Sequence, residues 1–218
     1  QLTSRVDEAG YTTAYEYDSR GRLTRVVDPA KTSVEYGYEA AFNQVASYRD
    51  RKGGVTRFEY DAKGYLTRMV DPLGSDRKYA YNNDGLLTSV TDAEGRVTTF
   101  AYDAQGRRIS VTDAGGAVFK VRYDNLGRTV AILDAAGQES RMEYDANGNL
   151  TRIVNRNGDA ITYEYDRNGN RVRRTDARGK ARRYSFDKLD ALAEIADPLG
   201  NVTRYGNAPQ DCACTSNG

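Results

Sequence analysis

The segment YDAQGRRISVTDAGG (Tyr102–Gly116) recurs further along the chain as YDRNGNRVRRTDARG (Tyr165–Gly179). The two copies differ at several positions but keep a Tyr-Asp pair, a glycine, a second aspartate and a final glycine. Aspartate followed three residues later by glycine marks a tight turn, because aspartate bonds nearby backbone N–H groups and glycine accepts positive φ. Stretches rich in β-branched residues lie between such turns elsewhere in the chain, so the segment predicts a β-hairpin.

The hairpin signal repeats along nearly the whole chain with a constant period. The residue after the aromatic of each Tyr-Asp motif recurs every 21 residues, at Asp18, Glu39, Asp61, Asn82, Asp103, Asp124, Asp145, Asp166 and Asp187. One interval, after Tyr38, is 22 residues long, which predicts one extra residue in that turn. Turn signals spaced about ten residues apart predict an antiparallel meander in which each unit is one hairpin.

Alternation within the second strand of each unit predicts two different sheet faces. Phe58 and Tyr60 share one parity, whereas Arg57 and Glu59 have the other. Side chains of a strand point to opposite faces with period two, so one face is aromatic and the other is charged. In the first strand, the recurring leucines and the recurring Val, Ile or Met residues have opposite parity. A bulge beside the turn would explain that change.

We assign a structural role to the repeated tyrosine, aspartate and glycine of the Tyr-Asp-x-x-Gly turns. One hairpin buries too few apolar side chains to fold alone, so these positions must join neighbouring units. We predict no catalytic, cofactor-binding or metal-binding residue. The predicted structural positions are Tyr17, Asp18, Gly21, Tyr60, Asp61, Gly64, Tyr102, Asp103, Gly106, Tyr123, Asp124, Gly127, Tyr144, Asp145, Gly148, Tyr165, Asp166 and Gly169.

Composition argues against several classes of function. The formal net charge is +1, and a nucleic-acid-binding protein would need a basic excess gathered on one face. Histidine, the commonest acid–base catalyst near neutral pH, is absent. No apolar run approaches the ~20 residues of a membrane span, and no secretion signal is visible at a start that falls inside a repeat. Cys212 and Cys214 are interpreted as incidental thiols, because two thiolates cannot complete a zinc site.

Four patterns allow sharper interpretations, and each has a simpler one. Paired carboxylates such as Asp103 and Asp113 could serve a glycosidase, but their repetition favours turn formation. The turns at Asp145 and Asp166 resemble calcium loops, yet their glycine comes at the fourth place instead of the sixth. The basic stretch 170–183 could touch an anionic polymer, although its alternating charges favour a solvated face. Rows of tyrosine could stack on sugars, although their parity favours packing.

The repeat resembles the Rhs, or YD-repeat, family over about residues 3–206. Near-complete copies of the family pattern are YDSRGRLTRVVDPAKTSVEYGY and YDAKGYLTRMVDPLGSDRKYAY. The resemblance implies a hollow β-shell in which a strip of hairpins encloses a cavity. In bacterial members, including BC components of Tc toxins, that shell encloses a C-terminal toxin; the related teneurins use a similar shell in cell-surface adhesion. The segment in which many members cut themselves is not found here, and the pattern ends after Tyr205.

We therefore predict an all-β fold of repeated antiparallel hairpins in a continuous curled sheet, part of a hollow YD-repeat shell. Residues 1–206 are predicted to form the repeats and residues 207–218 an irregular tail. The predicted function is non-enzymatic: a structural segment of a secreted or cell-surface bacterial shell that encapsulates and helps deliver a toxin. The alternative is a carbohydrate-binding or adhesion module. Predicted partners are the rest of the shell and the toxin, with glycans or self-association through open sheet edges as alternatives, and neither nucleic acid nor a cofactor.

Overall fold

The computed structural model of the chain describes residues 2–206, and these residues contain 20 β-strands and no helix. The strands are β1 (Ser4–Val6), β2 (Thr12–Tyr17), β3 (Leu23–Val27), β4 (Ser33–Tyr38), β5 (Val45–Arg49), β6 (Val55–Tyr60), β7 (Leu66–Val70), β8 (Asp76–Tyr81), β9 (Leu87–Thr91), β10 (Val97–Tyr102), β11 (Arg108–Thr112), β12 (Val118–Tyr123), β13 (Thr129–Leu133), β14 (Glu139–Tyr144), β15 (Leu150–Val154), β16 (Ala160–Tyr165), β17 (Arg171–Thr175), β18 (Ala181–Phe186), β19 (Leu192–Ala196) and β20 (Val202–Arg204). Strands of five or six residues alternate between short turns, as the repeat predicts.

The chain divides after Val118 into two compact units. In the first unit, each strand from β1 to β11 pairs with the next in antiparallel fashion. In the second, each strand from β12 to β20 does the same. Each unit is therefore a meander in which sequence neighbours are also sheet neighbours, and the predicted all-β fold of repeated antiparallel hairpins is confirmed.

The turns close with one hydrogen-bond pattern. In the turn Asp61–Tyr65, the Asp61 N–H donates to the Tyr65 carbonyl at 2.9 Å, and the Gly64 N–H donates back to the Asp61 carbonyl at 3.0 Å. The fourth residue has positive φ, 84° at Gly64, which explains the recurring glycine. In the exceptional unit the Glu39 N–H instead reaches the Gln44 carbonyl at 3.0 Å, so the predicted extra residue is confirmed in this turn.

A β-bulge follows the Tyr-Asp turn and explains the shifted leucines. Tyr60 pairs with Leu66 and Glu59 with Arg68, which leaves Thr67 outside the register. The same shift occurs in the other hairpins of this type, such as β2–β3 and β14–β15. Because the extra residue reverses the alternation, the leucines return to the face of the Val, Ile and Met residues. The predicted bulge is confirmed.

The two sheet faces differ as the alternation predicts. On one face, here called the tyrosine face, Tyr60 lies opposite Leu66 and Phe58 opposite Met69. On the other, the charged face, Glu59 lies opposite Arg68. Side chains of the tyrosine face are mostly half-buried, and Ala131 at 2% exposure is the one buried hydrophobic residue among residues 2–206. Neither unit therefore covers its own apolar face.

The predicted C-terminal tail, residues 207–218, lies outside the described residues, as do Cys212 and Cys214. Within the described part, no helix has the length and apolarity needed to cross a membrane.

Candidate functional site

The repeated residues converge on the turns that follow the second strand of each unit, here called the YD turns. These turns are Asp18–Arg22, Glu39–Gln44, Asp61–Tyr65, Asn82–Leu86, Asp103–Arg107, Asp124–Arg128, Asp145–Asn149, Asp166–Asn170 and Asp187–Ala191. The remaining turns lie at the other ends of the strands. The YD turns therefore form a row along one edge of each unit.

The side chain of the first residue in a YD turn accepts hydrogen bonds from backbone N–H groups of the same turn. One carboxylate oxygen of Asp61 accepts from the N–H of Lys63 at 2.8 Å and of Tyr65 at 2.9 Å. Asn82 uses its amide oxygen in the same way, at 3.0 and 2.9 Å. The Glu39 side chain, which is one methylene longer, accepts hydrogen bonds from backbone N–H groups of the six-residue turn. The position thus requires an acceptor oxygen at the right reach and does not require a charge.

Asp61 offers a direct test of this requirement. Asp61→Ala leaves two turn N–H groups without their acceptor and should lower the free energy of unfolding by about 1–2 kcal/mol. Asp61→Asn, which copies Asn82, should cost less than ~0.5 kcal/mol. Urea unfolding followed by far-UV circular dichroism measures both. Equal losses in the two variants would show that the charge matters and the acceptor geometry does not.

The fifth residue of a YD turn links the aspartate to the next unit. The Arg22 Nε donates to the second carboxylate oxygen of Asp18 at 2.7 Å, and its guanidinium lies 4.6 Å from the ring centre of Tyr38. Arg128 repeats both contacts with Asp124 and Tyr144, at 2.7 and 4.6 Å. This arginine was absent from the predicted structural positions. Its recurrence after the turn glycine in Gly-Arg pairs was the available signal.

The tyrosine of the motif ties its strand to the preceding strand of the sheet. The Tyr38 hydroxyl donates to the Leu23 carbonyl at 2.7 Å, and Tyr102 donates to Leu87 at the same distance. The same bond, always to the carbonyl 15 residues earlier, measures 2.8–2.9 Å at Tyr17, Tyr60, Tyr144 and Tyr165. Burial raises the pKa of Tyr60 and of Tyr165, which keeps their hydroxyls protonated as donors.

The structure places every predicted structural position at the same point of its unit. The tyrosines Tyr17, Tyr60, Tyr102, Tyr123, Tyr144 and Tyr165 end β2, β6, β10, β12, β14 and β16. The aspartates Asp18, Asp61, Asp103, Asp124, Asp145 and Asp166 begin the turns. The glycines Gly21, Gly64, Gly106, Gly127, Gly148 and Gly169 have φ between 77° and 90°. Their energetic importance stays a prediction.

A threonine at the bulge is a second residue that the sequence analysis missed. The Thr67 hydroxyl donates to the Glu59 carbonyl at 3.1 Å, and Thr88 and Thr151 make the equivalent bonds at the same distance. The bulge disrupts the ladder locally, and these hydroxyls bond to carbonyls beside it. The recurring Leu-Thr pair at the start of the first strand was the sequence signal for this role.

The carboxylates are arranged as turn formers. Asp103 and Asp113 begin turns at opposite ends of the five-residue strand β11, about 17 Å apart along a strand, whereas glycosidases need roughly 5–9.5 Å. In the calcium-like turns, Asp145 accepts from the Asn147 and Asn149 N–H groups and from the Asn149 side-chain amide. Among residues 2–206, no three acidic or thiol side chains gather where they could hold a metal ion.

The charged face carries arginine–glutamate pairs across neighbouring strands. Arg25 lies 3.3 Å from Glu16 and 3.7 Å from Glu35, and Arg49 lies 3.2 Å from the same Glu35. Arg68 contacts Glu59 at 2.9 Å in the same way. These side chains are 40–58% exposed, so solvent screens each pair and its contribution to stability is small. The face is solvated and adds little to stability.

Similar hairpins that repeat about every 21 residues, most of them tied to the preceding strand through a tyrosine, define a β-hairpin repeat protein. The RHS repeat family model matches six stretches, some of which overlap: residues 1–33, 17–50, 38–76, 81–118, 123–160 and 144–181. These stretches cover most of the chain, which therefore belongs to the RHS repeat family. Comparison with curated protein sequences gave no significant match.

Solved structures with a similar fold come from Tc toxins. The chain resembles the TcdB2-TccC3 crystal structure with a TM-score of 0.55, 16% identity and coverage of 93% of this chain and 14% of that chain. The TcdB2-TccC3-Cdc42 crystal structure gives a TM-score of 0.52 and 16% identity, with coverage of 91% of this chain and 14% of that chain. A mutant Tc holotoxin pore of Photorhabdus luminescens gives a TM-score of 0.50 and 16% identity, with coverage of 91% of this chain and 14% of that chain. At such identity the likeness shows the fold, and the chain spans about one seventh of those chains.

Proposed function

We propose that the chain is a non-enzymatic structural segment of an Rhs-type shell that encapsulates a C-terminal toxin domain and helps to deliver it. Residues 1–206 act as one repeat region, and the segment's partners are the remainder of its shell and the enclosed toxin. A shell of this kind is secreted or displayed on a bacterial surface. Membership of the RHS repeat family and the fold shared with Tc toxin structures support the proposal.

The half-exposed tyrosine face is the observation that carries this proposal. Tyr60, Leu66 and Met69 are half-buried, and residues 2–206 include no layer that covers them. A sheet with one wet face and one apolar face is typical of a wall that separates an interior from solvent. A wall also explains why the contacts repeat in every unit, whereas an active site occurs once.

The glycan-binding alternative has less support from the same residues. The Tyr165 hydroxyl already donates to the Leu150 carbonyl at 2.8 Å. The Arg171 guanidinium lies 5.3 Å from the ring centre of Tyr163 and 5.8 Å from that of Tyr184, so it already occupies the space beside those rings. Self-association through sheet edges stays an open prediction.

Deletion of one whole unit tests the architectural role. Removing residues 71–91 deletes β8 and β9 and joins Val70 to Asp92, so β7 meets β10 through an equivalent turn. Because the period is preserved, the shortened chain should keep its β-type circular dichroism and still unfold cooperatively. A matched deletion of residues 76–91 removes the same strands but leaves two turns in succession, and it should be clearly less stable. Equal damage by both deletions would contradict a modular wall.

The toxin-shell role itself is tested on the natural full-length polypeptide. We expect a cleavage segment and a toxin domain after the repeats, with that domain protected from protease while the wall is intact. Opening the wall with denaturant should expose the domain and release its activity. A membrane anchor with adhesion modules in place of the toxin would contradict the proposal and favour the adhesion alternative.

A further inference from the structure

The tyrosine face of the second unit contains three arginines, two of which occupy positions where other units carry mostly apolar residues. Arg174 occupies the position of Ile153 and Ile195, and Arg171 that of Leu150 and other leucines. Arg182 lies directly opposite Arg174 across β17–β18. Like charges directly opposite each other destabilise a sheet, so this arrangement has no explanation in the fold itself.

These three guanidiniums have no acidic partner within residues 2–206. Arg171 lies against tyrosine rings, and Arg174 and Arg182 form neither an ion pair nor a side-chain hydrogen bond. The nearby turn carboxylate of Asp176 accepts from the N–H groups of Arg178 and Lys180 at 2.9 Å and forms no ion pair with these arginines. Three positive charges are therefore left uncompensated beside half-buried tyrosines.

The surroundings of this cluster restrict the chemistry of a ligand. Ile153 lies opposite Ile161 on one side of the arginines, and Tyr184 lies opposite Ile195 on the other. A ligand that crosses from β15 to β19 covers four strand spacings, about 19 Å. It would meet apolar groups first, then two or three guanidiniums, then apolar groups again. A uniform polyanion such as nucleic acid would place phosphates over the apolar flanks.

We propose that the tyrosine face of β15–β19 binds an extended polypeptide segment that has two carboxylates flanked by apolar side chains. Seven extended residues span about 20 Å between the first and last, and alternate side chains face the sheet. Carboxylates at the third and fifth places then lie over Arg174 and Arg182, where each planar guanidinium can donate two parallel hydrogen bonds to a carboxylate. The inference does not depend on the toxin-shell role.

The test uses the whole 218-residue chain and a fluorescein-labelled peptide, Ile-Ser-Glu-Ser-Glu-Ser-Ile, in anisotropy titrations. Arg174→Gln with Arg182→Gln should weaken binding at least about tenfold, and replacing both glutamates by glutamine should do the same. The matched control is Arg173→Gln with Arg183→Gln, which removes the same charge from the same strands but on the charged face. That control should change the affinity less than about twofold.

Thermal unfolding of both double variants verifies that the sheet is intact. Equal weakening by the two double variants would show a general charge effect and overturn the proposal. Tighter binding of a single-stranded DNA oligonucleotide than of the peptide would overturn it in favour of a polyanion. The absence of peptide binding at millimolar concentration would also overturn it.

Discussion

Gly85→Ala should be among the most destabilising single substitutions in the first unit, lowering the free energy of unfolding by about 1.5–3.5 kcal/mol. Gly85 has φ of +80°, where a Cβ costs roughly 1–2 kcal/mol. A Cβ there would also lie 2.6 Å from the Tyr65 Cζ, so the ring must move. That ring stacks on Tyr81 with centres 5.0 Å apart, and losing the stack costs about 0.5–1.5 kcal/mol more.

Gly95→Ala is the matched control, because Gly95 has φ of +79° but nothing within 4 Å of the added Cβ. Gly95→Ala should lower the free energy of unfolding only by the backbone strain, about 1–2 kcal/mol. In a Tyr65→Ala background the penalty of Gly85→Ala should fall to the same value, since the clash is gone. Urea midpoints from circular dichroism measure all four variants. Equal penalties at the two glycines in the native background would show that Tyr65 does not pack on Gly85.

The same kind of packing gives the glycine of several YD turns a second role beside its positive φ. A side chain from the previous YD turn lies close to several turn glycines, as with Phe42 at Gly64, Tyr65 at Gly85 and Leu86 at Gly106. Asp190 and Lys31 show that the positive φ alone can be met by other residues, at 58° and 62°. At these three turns glycine therefore permits a close approach of a side chain from the neighbouring turn as well as the backbone conformation.

The period, the turns, the bulge and the two faces could be predicted from the sequence because each depends on local spacing. A turn aspartate accepts hydrogen bonds from N–H groups two and four residues away. The alternation of the faces depends only on adjacent residues. The predicted positions missed Arg22 and Thr67, whose partners are a ring 16 residues ahead and a carbonyl eight residues back. Such contacts follow only after strand register is known, since one residue of slip moves every side chain to the other face.

The arginine cluster on the tyrosine face shows a different limit of prediction. The basic stretch 170–183 was interpreted as a solvated face because its charges alternate. The register shows that alternation distributes them to both faces: Arg173 meets Glu164 at 2.9 Å, whereas Arg174 lies opposite Tyr163. Alternation predicts that the two faces of the sheet differ. Which face is exposed to solvent depends on the whole sheet.

The chain should keep constant stability between about pH 5 and 8 and unfold as the pH falls below about 4. Hydrogen bonds from the Ser75 backbone N–H hold the pKa of Asp71 below its ordinary value, and those from Gln138 do so for Asp134. A carboxylate whose pKa is lower when folded stabilises the fold above the unfolded pKa of ~3.9. That stabilisation is lost as the pH falls through the folded value. Histidine is absent from the sequence, so no imidazole changes its charge near pH 6.

Far-UV circular dichroism during an acid titration, at low salt and in ~0.5 M NaCl, separates the turns from general repulsion. Acid removes the 31 negative side-chain charges and leaves 32 positive ones, and salt screens that repulsion but not the turn hydrogen bonds. Asp71→Asn with Asp134→Asn keeps an acceptor oxygen that does not titrate, as Asn82 does, and should shift the acid midpoint to lower pH. A native spectrum at pH 2 in low salt, or a midpoint unmoved in this double variant, would show that the turn carboxylates do not control acid unfolding.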